Sequence, residues 1–276
     1  MSTLSFDKIK TLLPVRFNTY ESIKLNLANN PIGSDGADYI LSLIPNGVSE
    51  LDIAFDSIDA DDRLGALIAK RLNNLNSLKK LKLSLIMSLT NDSVLDDYLR
   101  FGRLGENLES YSLVTIGNSL SNNSIGLLKT HLSRAHLKEL DLNFYANKLG
   151  IEGAQIVADA LLTQKSLTNL GVDLYFNNIT AGGAEAVSKS LLEINNANLV
   201  KLHYNLDFNY IENAGAKAVG KTLAEMKSLK SLSLGVASKN FGYLGFKHVV
   251  NGLNHLTELE EFSFKCGVNR VGPGGA

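Results

Sequence analysis

Leu140-Asp-Leu-Asn-Phe-Tyr-Ala-Asn-Lys-Leu149, Leu170-Gly-Val-Asp-Leu-Tyr-Phe-Asn-Asn-Ile179 and Leu202-His-Tyr-Asn-Leu-Asp-Phe-Asn-Tyr-Ile211 align without a gap. Carrying that register outward gives starts at Ile23, Leu51, Leu81, Tyr111, Leu140, Leu170, Leu202, Leu232 and Phe262, with intervals of 28 to 32 residues. A period near 30 kept over most of a chain is the mark of a repeat architecture. Each unit reads L-x-L-x-h-x-x-N-x-h, where h is apolar. Asparagine falls seven residues after the start at Asn30, Asn118, Asn147, Asn177, Asn209 and Asn269. Glycine falls thirteen after it at Gly36, Gly153, Gly183, Gly215, Gly245 and Gly275, usually followed by alanine. Apolar residues spaced by three and four come next, as in Ala154, Val157, Ala158 and Leu161, which predicts a helix.

The chemistry of these positions is consistent. Alternating leucines turn one strand face into a core and leave the residues between them on the open face. The chain must then bend, and an inward asparagine can bond the backbone groups the bend leaves unpaired. The Gly-Ala pair opens the return helix, where small residues permit close packing on the neighbouring repeat. One strand and one helix cannot bury their apolar faces alone, so the units must stack.

This pattern resembles a leucine-rich repeat of the ribonuclease-inhibitor-like class, over roughly residues 20 to 276. The resemblance implies an α/β solenoid, or horseshoe, of about nine repeats, with a parallel sheet on the concave face and helices on the convex face. The strand carries an extra L-x step, and such thirty-residue units resemble repeats abundant in single-celled ciliated eukaryotes. The units starting at Leu51 and Leu81 lack the asparagine, and those at Leu81 and Tyr111 lack the Gly-Ala pair. Irregular turns or altered helices are expected there, and residues 88 to 106 read as either an ordinary helix or a projecting loop.

Composition restricts the function. The 276 residues are 45% hydrophobic and 20% charged, with a net charge of −1. That excludes a wholly disordered chain and argues against nucleic-acid binding as the main task, which needs a basic excess. No apolar run is long enough to span a bilayer, and the first residues have no signal-peptide character, so a cytoplasmic setting is expected. A single cysteine, Cys266, excludes an internal disulfide and a multi-cysteine zinc site.

The ends carry their own expectations. Residues 1–20 read as an N-terminal capping segment, with a helix from Ser5 to Leu13 before Pro14; residues 21–276 read as the repeats. The last unit stops where its helix should begin, so its repeat is incomplete. Its apolar end, around Phe262, Phe264 and Cys266, is expected to meet another protein, because open strand edges invite pairing.

No catalytic constellation appears. The five histidines lack metal-ligand spacing and are expected at the surface, with His203 facing outward from a concave strand. Cys266 sits at a core position, where a thiol is inert. No cofactor and no metal are implied. On the concave face, Tyr145 and Tyr175 should be direct neighbours flanked by Asp141, Asp173, His203 and Asp207. Outward positions hold eight acids (Glu50, Asp52, Asp56, Glu139, Asp141, Asp173, Asp207, Glu261) against five lysines (Lys24, Lys80, Lys82, Lys201, Lys265). An aromatic pair in an acidic rim resembles a protein-binding hot spot.

The expected function is therefore non-enzymatic: a protein-interaction or structural subunit of a hetero-oligomeric assembly, in a cytoskeletal or ciliary setting on the strength of the repeat type. Two other readings stand beside it. Repeats of this class also occur in activators of the Ran GTPase, although the acidic segment that follows the repeats there has no counterpart here. A free inhibitor embracing an enzyme in the concave face is the other.

Overall fold

The computed structural model describes residues 7–8, 19–86, 93–194, 198–238, 240–267 and 269. The chain divides into two compact units, residues 1–137 and 138–276. In the first, strands β1 (Ser22–Asn26), β2 (Glu50–Ala54), β3 (Lys80–Ser84) and β4 (Ser110–Val114) alternate with α1 (Gly33–Leu43), α2 (Leu64–Leu72) and α3 (Ser93–Phe101). Two short helices, α4 (Asn122–Ile125) and α5 (Leu128–Leu132), close it. In the second, β5 (Glu139–Asn143), β6 (Asn169–Asp173), β7 (Lys201–Asn205), β8 (Ser231–Gly235) and β9 (Glu261–Lys265) alternate with α6 (Gly150–Leu161), α7 (Ala181–Ile194), α8 (Glu212–Glu225) and α9 (Tyr243–Leu253). Within each unit the strands pair in parallel and in sequence order. Each unit is a stretch of leucine-rich-repeat solenoid.

The strand register follows the sequence period. Ile23, Leu51, Leu81 and Tyr111 are successive partners in the first sheet; Leu140, Leu170, Leu202, Leu232 and Phe262 are in the second. Positions 0, 2 and 4 of the inner repeats, such as Leu140, Leu142 and Phe144, are buried, whereas the first and last repeats leave some of theirs partly open, Leu25, Leu27 and Phe262 among them. The helices answer with their three-and-four faces: Ala154, Val157, Ala158 and Leu161 of α6 are all buried. A fully buried leucine-sized side chain contributes about 2 kcal/mol, so this repeated seam dominates the stability.

Beyond the strands whose repeats carry it, the asparagine forms a ladder. Asn177 Nδ2 donates to the carbonyls of Phe144 (2.7 Å) and Tyr175 (3.1 Å). Asn209 Nδ2 donates to Leu174, Leu206 and Asp207, and its Oδ1 accepts the N–H groups of Asn177 and Ile179 at 2.9 Å. Asn269 repeats the motif on Val236 and Ser238, and Asn118 reaches Leu85. Asn177, Asn209 and Asn269 thus each satisfy both their own turn and the turn of the repeat before, which the sequence pattern did not reveal.

Small residues behave as expected at the helix entrances. A Cβ on Gly215 would lie 3.0 Å from Ala184 Cβ, so α8 lies close on α7 only because that position is glycine. The sixth position of several repeats is left-handed: Asn29, Ser57, Gly117, Ala146, Phe176 and Phe208 all have φ between 51° and 68°. Its N–H bonds the next repeat, as Ala146 does to Tyr175 and Phe176 to Asp207.

The first unit is the less regular. Of the ambiguous stretch 88–106, Ser93–Phe101 form the ordinary helix α3, 102–106 are non-helical, and 88–92 lie outside the described residues. The Tyr111 repeat, without its Gly-Ala pair, has the broken helix α4–α5. One expectation is corrected here: His131 is not at the surface but fully buried. Leu128, His131 and Leu132 share the inner face of α5, and the space holds a polar cluster. Tyr98 and Tyr111 share a hydrogen bond between hydroxyls at 3.1 Å, and their rings lie 5.1 and 5.8 Å from the imidazole. Neither ring nitrogen of His131 finds a partner of normal geometry. Burial pushes its pKa down to about 4, against the opposing pull of the Leu99 backbone.

Of the expected capping helix, Asp7 and Lys8 are helical and the rest lies outside the described residues, as does 270–276.

Candidate protein-binding surface

The residues that sequence alternation assigns to the open face meet on the second unit. Strands β5 and β6 carry Tyr145 and Tyr175 to adjacent registers just past their ends. The two rings stack with centroids 4.3 Å apart and planes 11° from parallel. Asn143 and Asp173 fix the backbone beneath them, each accepting the N–H two residues on, from Tyr145 at 3.0 Å and Tyr175 at 2.9 Å. This is an Asx turn, which competes with further strand pairing and ends β5 and β6 where the tyrosines begin.

Sequence reasoning missed the rings beside this pair. Phe208 lies 5.0 Å from Tyr175, tilted by 41°, and Phe176 lies 6.5 Å from it. Phe176, Phe208 and Tyr210 are 56%, 42% and 58% exposed. Phe176 and Phe208 both occupy the left-handed sixth position, with φ of 52° and 59°. A bulky side chain there costs about 1 kcal/mol relative to glycine or asparagine. The available signal was comparative: the same position holds Asn29, Ser57, Gly117 and Ala146, all small or suited to that backbone, so two phenylalanines there are out of keeping.

The acids around the ridge divide by role. Asp141 is exposed. Asp173 Oδ2 accepts from Asn205 Nδ2 (3.2 Å) and lies 3.7 Å from Nε2 of His203, whose side chain is 39% exposed. His203 thus faces outward, as expected.

Asp207 corrects the sequence reading: it is 4% exposed, not part of an open rim. It follows the end of β7, where alternation no longer applies, and its Oδ1 accepts the N–H of Ala237. The side chain folds over Gly235, where a Cβ would come within 2.9 Å of the carboxylate carbon. Burial raises its pKa. Asp56, also counted as outward, does the same task in the first unit, accepting from Ser84 Oγ and Ile86 N. There the other acids are matched by lysines, Glu50 with Lys80 at 2.9 Å and Asp52 with Lys24 at 3.2 Å.

At the far strand, Phe262 is 54% exposed and its ring lies 6.1 Å from that of Phe264. Cys266 is half-buried rather than sealed in a core, and burial raises its thiol pKa. A recess of about 850 Å³ in the first unit is lined by Asn73, Asn107, Arg103 and Arg134 among others. Its polar groups serve the turns: Asn73 Nδ2 donates to Phe101 O, Asn73 Oδ1 accepts from Arg103 N, and Arg134 donates to Gly102 O. Among the described residues no group of three His, Cys, Asp or Glu side chains is arranged to hold a metal. No helix of the described residues is long and apolar enough to cross a membrane.

Fold and surface together define two stretches of leucine-rich-repeat solenoid, the second with an exposed aromatic ridge on its open face. No protein-family model matches the sequence, and no curated protein matches it. Among solved structures, the chain is similar to one in the crystal structure of the Rad7 and Elc1 complex in yeast. The identity is 14%, the match covers 89% of this chain and 70% of that one, and the TM-score is 0.38.

Proposed function

We propose that the protein is a non-enzymatic binding subunit of a larger assembly, and that a partner protein seats on the ridge of Tyr145, Tyr175, Phe176, Phe208 and Tyr210. The observation that carries this reading is the pair of solvent-exposed phenylalanines in left-handed backbone. Local strain kept at an exposed apolar position gives the fold nothing and is explained by a contact made there. Aromatic rings supply large contact area at small entropic cost, and such anchors dominate interface energies.

The helices of nine to fourteen residues that follow most strands support assignment to the ribonuclease-inhibitor-like class. A cytoskeletal or ciliary setting rests on repeat length alone.

The test compares wild type with Tyr145→Ala/Tyr175→Ala in quantitative affinity capture from the native source, with the native mass of the endogenous protein measured alongside. A partner held by wild type should bind the variant about 30-fold more weakly or worse, the cost of removing a hot-spot ring. Partners retained equally by both, or an endogenous protein that runs at its own mass of 29.9 kDa, would refute the proposal. Stimulation of GTP hydrolysis on a small GTPase would replace it with the activator reading.

A further inference from the structure

The helical side of the second unit carries a feature of opposite sign to the sheet face. Helices α8 and α9 touch through backbone: a Cβ on Gly220 would lie 2.1 Å from the carbonyl oxygen of His248, and one on Gly252 would lie 2.2 Å from that of Gly220. Where two helices meet through glycine, no side chain fills the valley above the contact. A groove of about 270 Å³ remains, floored by Gly220 and Gly252 and walled by Lys217, Lys221, His248 and His255.

The walls follow from helical spacing. Lys217 and Lys221 are one turn apart on the same face of α8, about 6 Å along the axis. His248 and His255 are two turns apart along the opposite wall. Nδ1 of His255 is tied to the Asn251 carbonyl at 2.8 Å, which orients the ring. None of the lining residues is a carboxylate. Among the described residues neither Lys217 nor Lys221 forms an ion pair, unlike Lys189 and Lys230, which find Glu193 and Glu260. Like charges one turn apart are mildly destabilising, so the fold itself has no use for the arrangement. The bias extends beyond the groove: residues 212–255 hold six lysines against two glutamates in a chain whose net charge is −1.

We infer that this groove is a second docking site, for an acidic polypeptide segment that lays apolar side chains on the glycine floor and carboxylates against Lys217 and Lys221. Charge complementarity selects the sign of the ligand. The floor selects its kind. Backbone N–H groups inside a helix are already bonded, so the groove has no nest of free donors to hold a lone phosphate. Its lysine stems and glycine Cα atoms offer an apolar surface that a segment with mixed side chains can cover. A nucleic acid would need a longer basic track than this groove provides.

The experiment uses the full chain and three fluorescein-labelled peptides of one pattern, alternating leucine with glutamate, glutamine or lysine, read by anisotropy and by histidine ring shifts in NMR. The glutamate peptide should bind and move His248 and His255. Lys217→Gln/Lys221→Gln should weaken it about fivefold, the usual scale for two exposed charge pairs, and should leave the thermal midpoint unchanged. Tyr145→Ala/Tyr175→Ala should bind it as wild type does, which separates this site from the sheet-face ridge. Equal binding of the glutamine peptide, affinity unchanged in the lysine variant, or shifts of the His248 and His255 rings with millimolar inorganic phosphate but with none of the peptides would each overturn the inference.

Discussion

The two units solve the same structural problem with different chemistry. In the second, the turns at Asn177 and Asn209 are each tied by a buried amide that serves two repeats at once, and the buried amide of Asn147 ties its own turn. In the first, the Leu51 repeat has Ile58 at that position, fully buried, and the carboxylate of Asp56 reaches to the next repeat instead. The Tyr111 repeat replaces a small-residue helix entrance with the Tyr98–Tyr111–His131 cluster. The difference teaches where surface function can sit. A regular ladder holds the turns of the second unit firmly enough to carry strained, exposed phenylalanines, whereas the first unit spends its irregular residues on filling its own interior.

The largest test of that contrast is Asn209→Ala. It strips partners from three carbonyls and two N–H groups in a buried turn, so chemical denaturation should show a loss of about 4 kcal/mol. Ile58→Asn in the first unit should also destabilise, by about 2 kcal/mol, because the turn around it has no vacant groups for an amide. If Asn209→Ala cost less than about 1 kcal/mol, the ladder would be ornamental and the contrast would fail.

Acid sensitivity separates the units next. An unfolded histidine takes up a proton near pH 6.5, while buried His131 resists until about 4. The unfolded state therefore binds the extra proton in that window. Stability from this source is complete above pH 6.5 and falls by about 1.4 kcal/mol per unit as pH drops toward 4, about 3 kcal/mol in all. Asp207, whose pKa is raised by burial, acts with the opposite sign in the second unit. Comparing His131→Phe with wild type isolates the histidine: denaturation midpoints should be close at pH 8 and diverge in favour of the variant at pH 5. Parallel pH profiles would count against a neutral, buried imidazole.

The smallest effect concerns the ridge. Phe176→Asn and Phe208→Asn copy the residue that the first repeat uses at the same turn. Each should leave the thermal midpoint unchanged or raise stability by up to about 1 kcal/mol, while weakening partner binding. A clear loss of stability would show that the rings serve the fold and not a partner.

These residues also show how far the sequence could be read. Strand register, the buried positions and the helix entrances were legible because each repeats a physical constraint in every unit, as Leu140, Leu170 and Leu202 do. The stacking of Tyr145 on Tyr175 followed from strand spacing. Asp207 was misplaced because alternation holds only while the chain is a strand, and β7 ends at Asn205. His131 was misplaced because it was weighed by residue type, although its spacing with Leu128 and Leu132 marked it as inward. The groove between α8 and α9 depends on which glycines face each other across two helices, and a single-chain pattern does not contain that information.

The asparagine ladder has a direction, and direction matters under load. Each rung reaches back from a repeat to the turn before it, so detaching the later repeat frees backbone groups in the earlier one. Pulled from its C-terminal side, the second unit should come apart as a zipper, each released repeat of about 30 residues adding roughly 100 Å of slack. A partner clamped across Tyr145, Tyr175 and Phe208 bridges three repeats and would act as a pin in that zipper.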